Sequence, residues 1–231
     1  MSEKTEPKST PPVNAAQTSE RMLDSVIISN GDPVASEKRK LIAIHGLGDT
    51  PENFSALFRD DLSNSAIILP RAPSPHGSGG SWFPVSIPVK TTPINKLKTD
   101  VKNAAEALCE TIRSFRFKRR PVVTGFSQGG ILSYTIAVTC PSQISAAVPV
   151  AGFLPVDIPP DKQIPPVIAF HGEADPIIDF AWGVESVQRL KKENVSAEMH
   201  SYKDTGHTIS GQMYKEWMAV LNERLQNHLL K

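Results

Sequence analysis

A serine between glycines is the most distinctive candidate for a reactive side chain in this sequence. Ser127 lies in the segment Gly125-Phe-Ser-Gln-Gly129, which fits the Gly-x-Ser-x-Gly pattern of a nucleophile elbow. An apolar run precedes the segment and a helical stretch follows it, and this strand–turn–helix order is what the pattern requires. The residues flanking the serine must lack bulk because the turn is tight, which both glycines provide. We therefore predict that the Ser127 hydroxyl is a nucleophile; the alternative is a glycine-rich turn with an idle serine.

A serine hydroxyl needs a base that accepts its proton, and the base needs an acid that orients it. In hydrolases with this elbow, the order along the chain is serine, acid, histidine. His207 satisfies the order, because it lies between the last predicted strand and the last predicted helix, at the sheet edge of the elbow. We predict that His207 is the base. The other histidines are disfavoured by chain order or by a position inside a strand or helix: His45, His76, His171, His200 and His228.

The acid is expected in the loop after the apolar run at residues 167–170, again at the carboxyl edge of the sheet. Asp175 is the preferred candidate, because Pro176 restricts the backbone before it to an extended turn. Glu173 and Asp179 compete for the same role. A metal site built from this loop would lack the further histidine or cysteine ligands that complete such sites. We therefore predict Asp175 as the acid and no metal.

Acyl transfer also requires backbone N–H groups that bind the negative oxygen of the tetrahedral intermediate. One donor should be the residue after the nucleophile, Gln128, and the second should come from an earlier strand-to-loop junction. The segment His45-Gly-Leu-Gly48 follows a predicted strand and contains flexible glycines, so we predict Leu47 as the second donor. A nucleotide-binding interpretation of this loop is weak, because the third glycine of that motif is missing.

These residues must be positioned by alternating strands and helices. Apolar runs predict strands at residues 26–28, 41–44, 67–69, 122–126, 146–150 and 167–170, with a more mixed strand at 197–202. Apolar positions on one stripe predict helices at 93–115 and 210–229, and shorter helical stretches are expected at 130–138 and 183–193. The alternation predicts an α/β domain whose mostly parallel sheet carries helices on both faces.

Residues 70–93 fit neither pattern. Six prolines in this segment predict a long irregular loop, and long loops in compact domains are often functional. Trp82 and Phe83 are large apolar side chains that a solvated connector would not need. We therefore expect this loop to line an apolar substrate groove, with Trp82 and Phe83 as substrate-binding residues.

Composition narrows the class of protein. The chain has 231 residues, 25 Lys and Arg against 24 Asp and Glu, and a net charge of +1, which disfavours nucleic acid as a partner. The longest largely apolar run, residues 146–156, contains two prolines and is shorter than the ~20 residues of a membrane-spanning helix. Residues 1–21 are polar and predict a disordered tail without a secretory signal, followed by one domain over residues 22–231.

The two cysteines, Cys109 and Cys140, are too few for a disulfide framework or a four-ligand zinc site. We therefore expect a reducing compartment. Together with the polar beginning of the chain, this predicts a cytoplasmic protein.

Several segments together resemble the phospholipase/carboxylesterase family of α/β-hydrolases, which includes acyl-protein thioesterases and lysophospholipases. The resemblance spans residues 41–229 and rests on His45-Gly-Leu-Gly-Asp-Thr50, Pro70-Arg-Ala-Pro73, Trp82-Phe83, Gly125-Phe-Ser-Gln-Gly-Gly130, His171-Gly-Glu-Ala-Asp-Pro176 and Gly206-His207. It implies the α/β-hydrolase fold and no cofactor. It also implies a Ser127, Asp175 and His207 triad, oxyanion donors at Leu47 and Gln128, and Trp82 near the scissile bond.

We therefore expect a serine hydrolase that cleaves carboxylic esters or thioesters of small molecules or acylated substrates through an acyl-enzyme. We expect no nucleic acid partner, no membrane-spanning segment and at most a weak homodimer. The alternative is a non-catalytic protein that binds small molecules on the same fold, since a fold does not fix a function.

Overall fold

A computed structural model describes residues 25–28, 39–58, 62, 65–160 and 163–226. The predicted tail at residues 1–21 and His228 lie outside the described residues. The strands are β1 (Ser25–Ile28), β2 (Arg39–Ile44), β3 (Ser65–Pro70), β4 (Ser74–His76), β5 (Gly79–Ser81), β6 (Val122–Phe126), β7 (Ala146–Val150), β8 (Val167–Gly172) and β9 (Ala197–Tyr202). The helices are α1 (Pro51–Ser55), α2 (Ile94–Ser114), α3 (Gln128–Thr139), α4 (Phe180–Lys192) and α5 (Gly211–Gln226), with 3₁₀ turns at Val89–Thr91 and Pro141–Gln143.

Seven of these strands form one sheet in the order β1-β3-β2-β6-β7-β8-β9. Strand β1 pairs antiparallel with β3, and every other pair in this sheet is parallel. The carboxyl ends of the six parallel strands therefore meet at one edge, where ligands bind in open α/β sheets. The prediction of a mostly parallel sheet is confirmed.

Two apolar cores cover the two faces of the sheet. Alternate side chains of each strand point to opposite faces, so Ile42 packs with α2, α3 and α4, whereas Leu41 packs with α1 and α5. Each core contains a large side chain that is fully buried: Tyr134 of α3 in the first core and Trp217 of α5 in the second. No helix in the described part of the chain combines the length and apolar composition needed to cross a bilayer.

The apolar runs predicted the strands of this sheet well, and those at Val122–Phe126, Ala146–Val150 and Ala197–Tyr202 agree to the residue. The interpretation of residues 70–93 as wholly irregular is wrong. Strands β4 and β5 form a short antiparallel hairpin there, with Gly77 in the left-handed region at φ 57° in the turn between them. Three-residue strands rich in Ser, Pro and Gly carry no apolar alternation, so the sequence pattern could not show them.

Cys109 of α2 and Cys140 at the end of α3 form a disulfide. This bond runs against the expectation drawn from the two cysteines, because disulfides persist mainly in oxidising compartments. Helices α2 and α3 pack side by side on one face of the sheet, which brings the two Cα atoms to 6.2 Å although they are 31 residues apart. Spacing along the chain could not reveal that proximity.

Candidate active site

The nucleophile elbow links β6 to α3 at the carboxyl edge of the sheet. Ser127 has a φ of 58° and a ψ of −115°, a strained backbone conformation that non-glycine residues rarely adopt. A Cβ atom on Gly129 would lie 1.9 Å from the carbonyl oxygen of Ile44, and one on Gly125 would lie 2.6 Å from Gly129. The expected lack of bulk on both sides of the serine is therefore confirmed as a steric requirement.

The structure brings the three predicted side chains into one hydrogen-bonded chain. The Ser127 Oγ lies 2.9 Å from His207 Nε2, and His207 Nδ1 lies 2.7 Å from Asp175 Oδ2. His207 sits in the loop between β9 and α5, its ring 4.9 Å from that of Phe126, and 16% of its side chain is exposed. Asp175 follows β8, so all three residues leave the same edge of the sheet. This arrangement can move a proton from the hydroxyl to an oriented imidazole.

Asp175 accepts hydrogen bonds at both carboxylate oxygens. Oδ1 accepts from the backbone N–H groups of Ile177 and Ile178, both at 2.9 Å, while Oδ2 faces His207 and also lies 3.3 Å from His171 Nε2. Burial would raise the pKa of Asp175, but the hydrogen bonds from His171, His207 and Ile178 outweigh it and hold the pKa well below its usual range. The carboxylate is therefore ionised at neutral pH.

The competing acids have other partners. Glu173 accepts a hydrogen bond from the Ser201 hydroxyl at 2.7 Å, and Asp179 caps α4 by accepting from the Ala181 N–H at 3.0 Å. His200 stacks on the ring of Phe170. Within the described ranges, no group of three or more His, Cys, Asp or Glu side chains is arranged to hold a metal ion.

The two predicted oxyanion donors flank the elbow. Gly46, which precedes Leu47, lies so close to the elbow that a Cβ atom on it would be 3.5 Å from the Ser127 Cβ. Gln128 is the first residue of α3, where backbone N–H groups have no partner within the helix. Among the described residues, neither the Leu47 nor the Gln128 N–H donates to a protein oxygen. Both groups are therefore available to a ligand, and their role as oxyanion donors stays a prediction.

Trp82 and Phe83 both line a second cavity, of about 340 Å³, together with residues of α2. They are only 4% and 2% exposed and belong to the apolar core between the sheet and helices α2, α3 and α4. The Trp82 indole N–H donates to the His45 carbonyl at 2.9 Å, so this side chain supports the loop of Leu47. Contact of Trp82 and Phe83 with substrate stays a prediction.

The side chain of Gln128 makes contacts beside the candidate site that the sequence reasoning missed. Its Oε1 accepts from the backbone N–H of Trp82 at 2.9 Å, and its Nε2 donates to the backbone carbonyl of Phe83 at 2.8 Å. The glutamine therefore ties the elbow to the segment that follows β5. The sequence shows the glutamine, but not that a segment 46 residues earlier returns to it.

A cavity of about 710 Å³ opens at the carboxyl edge of the sheet. Phe153 and Leu154, which follow β7, and Trp182 of α4 supply apolar walls, and residues 90–94 close one side. The neighbouring Val89 N–H donates to the Ile177 carbonyl at 3.0 Å, which joins this wall to the loop of Asp175. The cavity offers space for an apolar group, and this hydrogen bond links its wall to the loop of Asp175, although no triad residue lines the cavity itself.

Comparisons with known proteins agree with the residue pattern. The sequence profile of the phospholipase/carboxylesterase family matches residues 23–225. The chain is 27% identical to carboxylesterase SOBER1 of Arabidopsis thaliana, over 80% of this chain and 90% of the relative. It is also 27% identical to acyl-protein thioesterase 1 of Gibberella zeae, over 84% of this chain and 94% of the relative.

A solved structure, acyl-protein thioesterase 2 of Zea mays, superimposes with a TM-score of 0.70 at 22% identity. The superposition covers 87% of this chain and 98% of the maize chain. At this identity the likeness concerns the fold.

Proposed function

Because the chain belongs to the phospholipase/carboxylesterase family, we propose that it is a serine hydrolase that cleaves carboxylic esters or thioesters. The observation that carries the proposal is the unbroken chain of hydrogen bonds from Ser127 through His207 to Asp175. The strained elbow and the two open backbone donors beside it support the same chemistry.

In the proposed reaction, Ser127 Oγ attacks the acyl carbonyl carbon while its proton passes to His207 Nε2. The carbonyl oxygen becomes an oxyanion that the Leu47 and Gln128 N–H groups bind. His207 then gives the proton to the leaving alcohol or thiol as the acyl-enzyme forms. Water, deprotonated by His207, attacks the acyl-enzyme, and the collapse of the second tetrahedral intermediate returns the proton to Ser127.

Asp175 orients the imidazole and stabilises its charged form during both steps. Its role requires an ionised carboxylate, and the hydrogen bonds that lower the pKa of Asp175 ensure it. The proposal uses no cofactor.

In this proposal, the cavity walled by Phe153, Leu154 and Trp182 receives an apolar acyl group, which is the part of the substrate that is recognised. Phe153, Leu154 and Trp182 give the cavity apolar walls, whereas the rest of its lining is largely polar and includes the exposed side chains of Lys90, Asp157 and Glu185. The relatives named above are a carboxylesterase and an acyl-protein thioesterase, which favours esters and thioesters over amides. A small-molecule ester and an acylated macromolecule both fit this description.

The cytoplasmic location expected from the sequence stays a prediction. A disulfide between Cys109 and Cys140 is typical of proteins from oxidising compartments and does not support that location.

Replacing the nucleophile tests the proposal directly. Ser127→Ala should lower kcat on p-nitrophenyl butyrate about 10⁴-fold or more, because no other group can form the acyl-enzyme. A fluorophosphonate probe should label the wild-type chain at Ser127 and leave the variant unlabelled.

Ser201→Ala is the matched control, since Ser201 lies on the exposed face of β9 and contacts Glu173. It should keep wild-type turnover and labelling. Turnover that survives in Ser127→Ala, or a wild-type chain that the probe does not label, would favour the non-catalytic binding protein instead.

A further inference from the structure

His45 is a buried histidine that the proposed reaction does not use. It follows β2, is 1% exposed and stands directly before Gly46 and Leu47. Its Nδ1 lies 2.8 Å from the Gly46 carbonyl oxygen, and its Nε2 lies 3.3 Å from the Ala72 nitrogen. Both ring nitrogens therefore contact the backbone.

These two contacts fix the tautomer of the ring. A backbone N–H can only donate, so Nε2 of His45 accepts from the Ala72 N–H and carries no proton. Nδ1 must then carry the proton and donate it to the Gly46 carbonyl oxygen. Burial lowers the pKa of His45, which keeps the ring in this neutral form.

The bond to the Gly46 carbonyl has a consequence for the next residue. The peptide unit is planar and trans, so the carbonyl of Gly46 and the N–H of Leu47 point in opposite directions. His45 Nδ1 and the Asp49 N–H, at 3.3 Å, both hold the Gly46 oxygen on one side of the loop. The Leu47 N–H is therefore turned to the other side.

Without the His45 contact, the Asp49 N–H at 3.3 Å would hold the Gly46 oxygen alone, and the peptide plane would rotate more easily. Gly46 has no side chain to restrict its ψ angle, and Gly48 on the far side of Leu47 occupies the left-handed region at φ 76°. A rotated plane would direct a carbonyl oxygen, instead of an N–H, towards the developing negative charge. Such a loop would repel the oxyanion rather than bind it.

We propose that His45 is a positioning residue that sets the orientation of the Leu47 N–H in the oxyanion hole. The inference rests on the proposed function, because it assigns a role within the same reaction. His45 acts through the Gly46–Leu47 peptide and does not touch the reacting atoms. The Trp82 indole, which binds the His45 carbonyl, supports the same loop from the neighbouring peptide.

Two variants separate the two ring contacts. His45→Asn places an amide N–H near the position of Nδ1, so it keeps the donor to the Gly46 carbonyl and loses the contact with Ala72. His45→Gln places an amide oxygen near the position of Nε2, so it keeps the acceptor for Ala72 and loses the donor. Because both replacements are polar amides, the main difference between the two variants is which contact survives.

The measurements are kcat and KM on p-nitrophenyl butyrate, and the inhibition constant of a trifluoromethyl ketone with the same acyl chain. The ketone forms a hemiketal with the serine, and its oxyanion occupies the hole. His45→Gln should lower kcat about tenfold to a hundredfold and leave KM nearly unchanged. The loss should be smaller than the ~10²- to 10³-fold loss in kcat that follows deletion of an oxyanion donor, because the Leu47 N–H is still present. The same variant should weaken the ketone by the same factor, whereas His45→Asn should keep most of both.

Equal losses of kcat in the two variants would show that His45 only supports the local fold. Full activity in His45→Gln would show that the Gly46–Leu47 peptide keeps its orientation without the hydrogen bond from His45. Either result overturns the inference while leaving the hydrolase proposal intact. The hydrolase proposal fails separately if fluorophosphonate does not label Ser127 in the wild-type chain. Circular dichroism and thermal melting of each variant report on folding.

Discussion

Asp175 is the residue whose surroundings say most about the site. Two backbone N–H groups and two imidazoles surround one buried carboxylate, so neither oxygen can turn away from its partners. His171 contributes one of these contacts, and its Nε2 also lies 3.1 Å from the Ile178 carbonyl oxygen. A carbonyl can only accept, so Nε2 of His171 carries the proton and donates. The carboxylate is held in its charged form from both sides.

This environment makes a prediction about stability and pH. The pKa of Asp175 is lower in the folded chain than the ~3.9 of an unfolded aspartate, so its ionised form stabilises the fold above that pH. The contribution is lost as the pH falls below about 4, towards the folded pKa. The free energy of unfolding should therefore differ most between wild type and Asp175→Asn at pH 6, and less at pH 3.

Urea unfolding at both pH values measures that difference. Asp157→Asn serves as the control. The Asp157 carboxylate is exposed to solvent, and its ion pair with Lys98, at 3.5 Å, lies on the surface. The control should follow wild type at both pH values. A gap between wild type and Asp175→Asn that stays constant with pH would contradict the assigned direction.

At this scale, the sequence predicted the three side chains of the candidate triad, which the structure brings together, better than the groups that hold them. Ser127 and His207 stand in local motifs with a fixed chain order, so their types and positions suffice. The side-chain roles of His45, Trp82 and Gln128 depend on contacts between distant segments, which no spacing reveals. Trp82 shows the difference well, since its place in a proline-rich loop does not reveal that its indole N–H donates to the His45 carbonyl.

Among the elements, the strands were predictable and the short connections were not. Strands buried on both faces are continuous apolar runs, and the parallel sheet follows from their alternation with helices. Helix α4 begins at Phe180, three residues before the predicted start, because Asp179 caps it and the apolar stripe begins only later. A sequence pattern indicates which face of a helix or strand is buried more clearly than it indicates the residue at which the element begins or ends.

The disulfide that joins α2 to the end of α3 makes a prediction at the element scale. Helix α3 begins directly after Ser127, so the bond ties the helix that follows the candidate nucleophile to its neighbour. A cross-link over 31 residues should stabilise the fold by about 3–4 kcal/mol, mainly by restricting the unfolded chain. The double variant Cys109→Ser and Cys140→Ser should unfold at correspondingly lower urea concentration.

Equilibrium unfolding with and without dithiothreitol provides the comparison. Reductant should lower the midpoint of the wild-type chain to that of the double variant and leave the variant unchanged. If the wild-type midpoint is the same in both buffers, the cysteines are not joined in solution.

For the whole molecule, the notable feature is how many segments meet around one cavity. Residues after β7, the start of α4 and the segment at 90–94 line it. One domain over residues 22–231 and a weak homodimer stay predictions.

The cavity predicts a dependence on acyl length. For p-nitrophenyl esters of increasing chain length, kcat/KM should rise by up to about fourfold per methylene while the chain fills the apolar walls, and then level off. Trp182→Ala should flatten this rise, because it removes a wall of the cavity. The same series with thioesters should show the same length dependence if the acyl group alone is recognised.

Phe117→Ala is a suitable control, since Phe117 is an aromatic residue before β6, at the opposite edge of the sheet. It should keep the wild-type profile. A flat profile in the wild-type chain would mean that this cavity does not hold the acyl group.

The burial of the cystine has one more consequence. Every thioester turned over would release a mercaptan beside the protein, and mercaptans cleave accessible cystines by exchange. Cys109 and Cys140 are only 3% and 7% exposed, so the sulfur atoms are shielded from a nucleophile in solution. A catalyst of this kind would be protected from its own by-product as long as it remained folded.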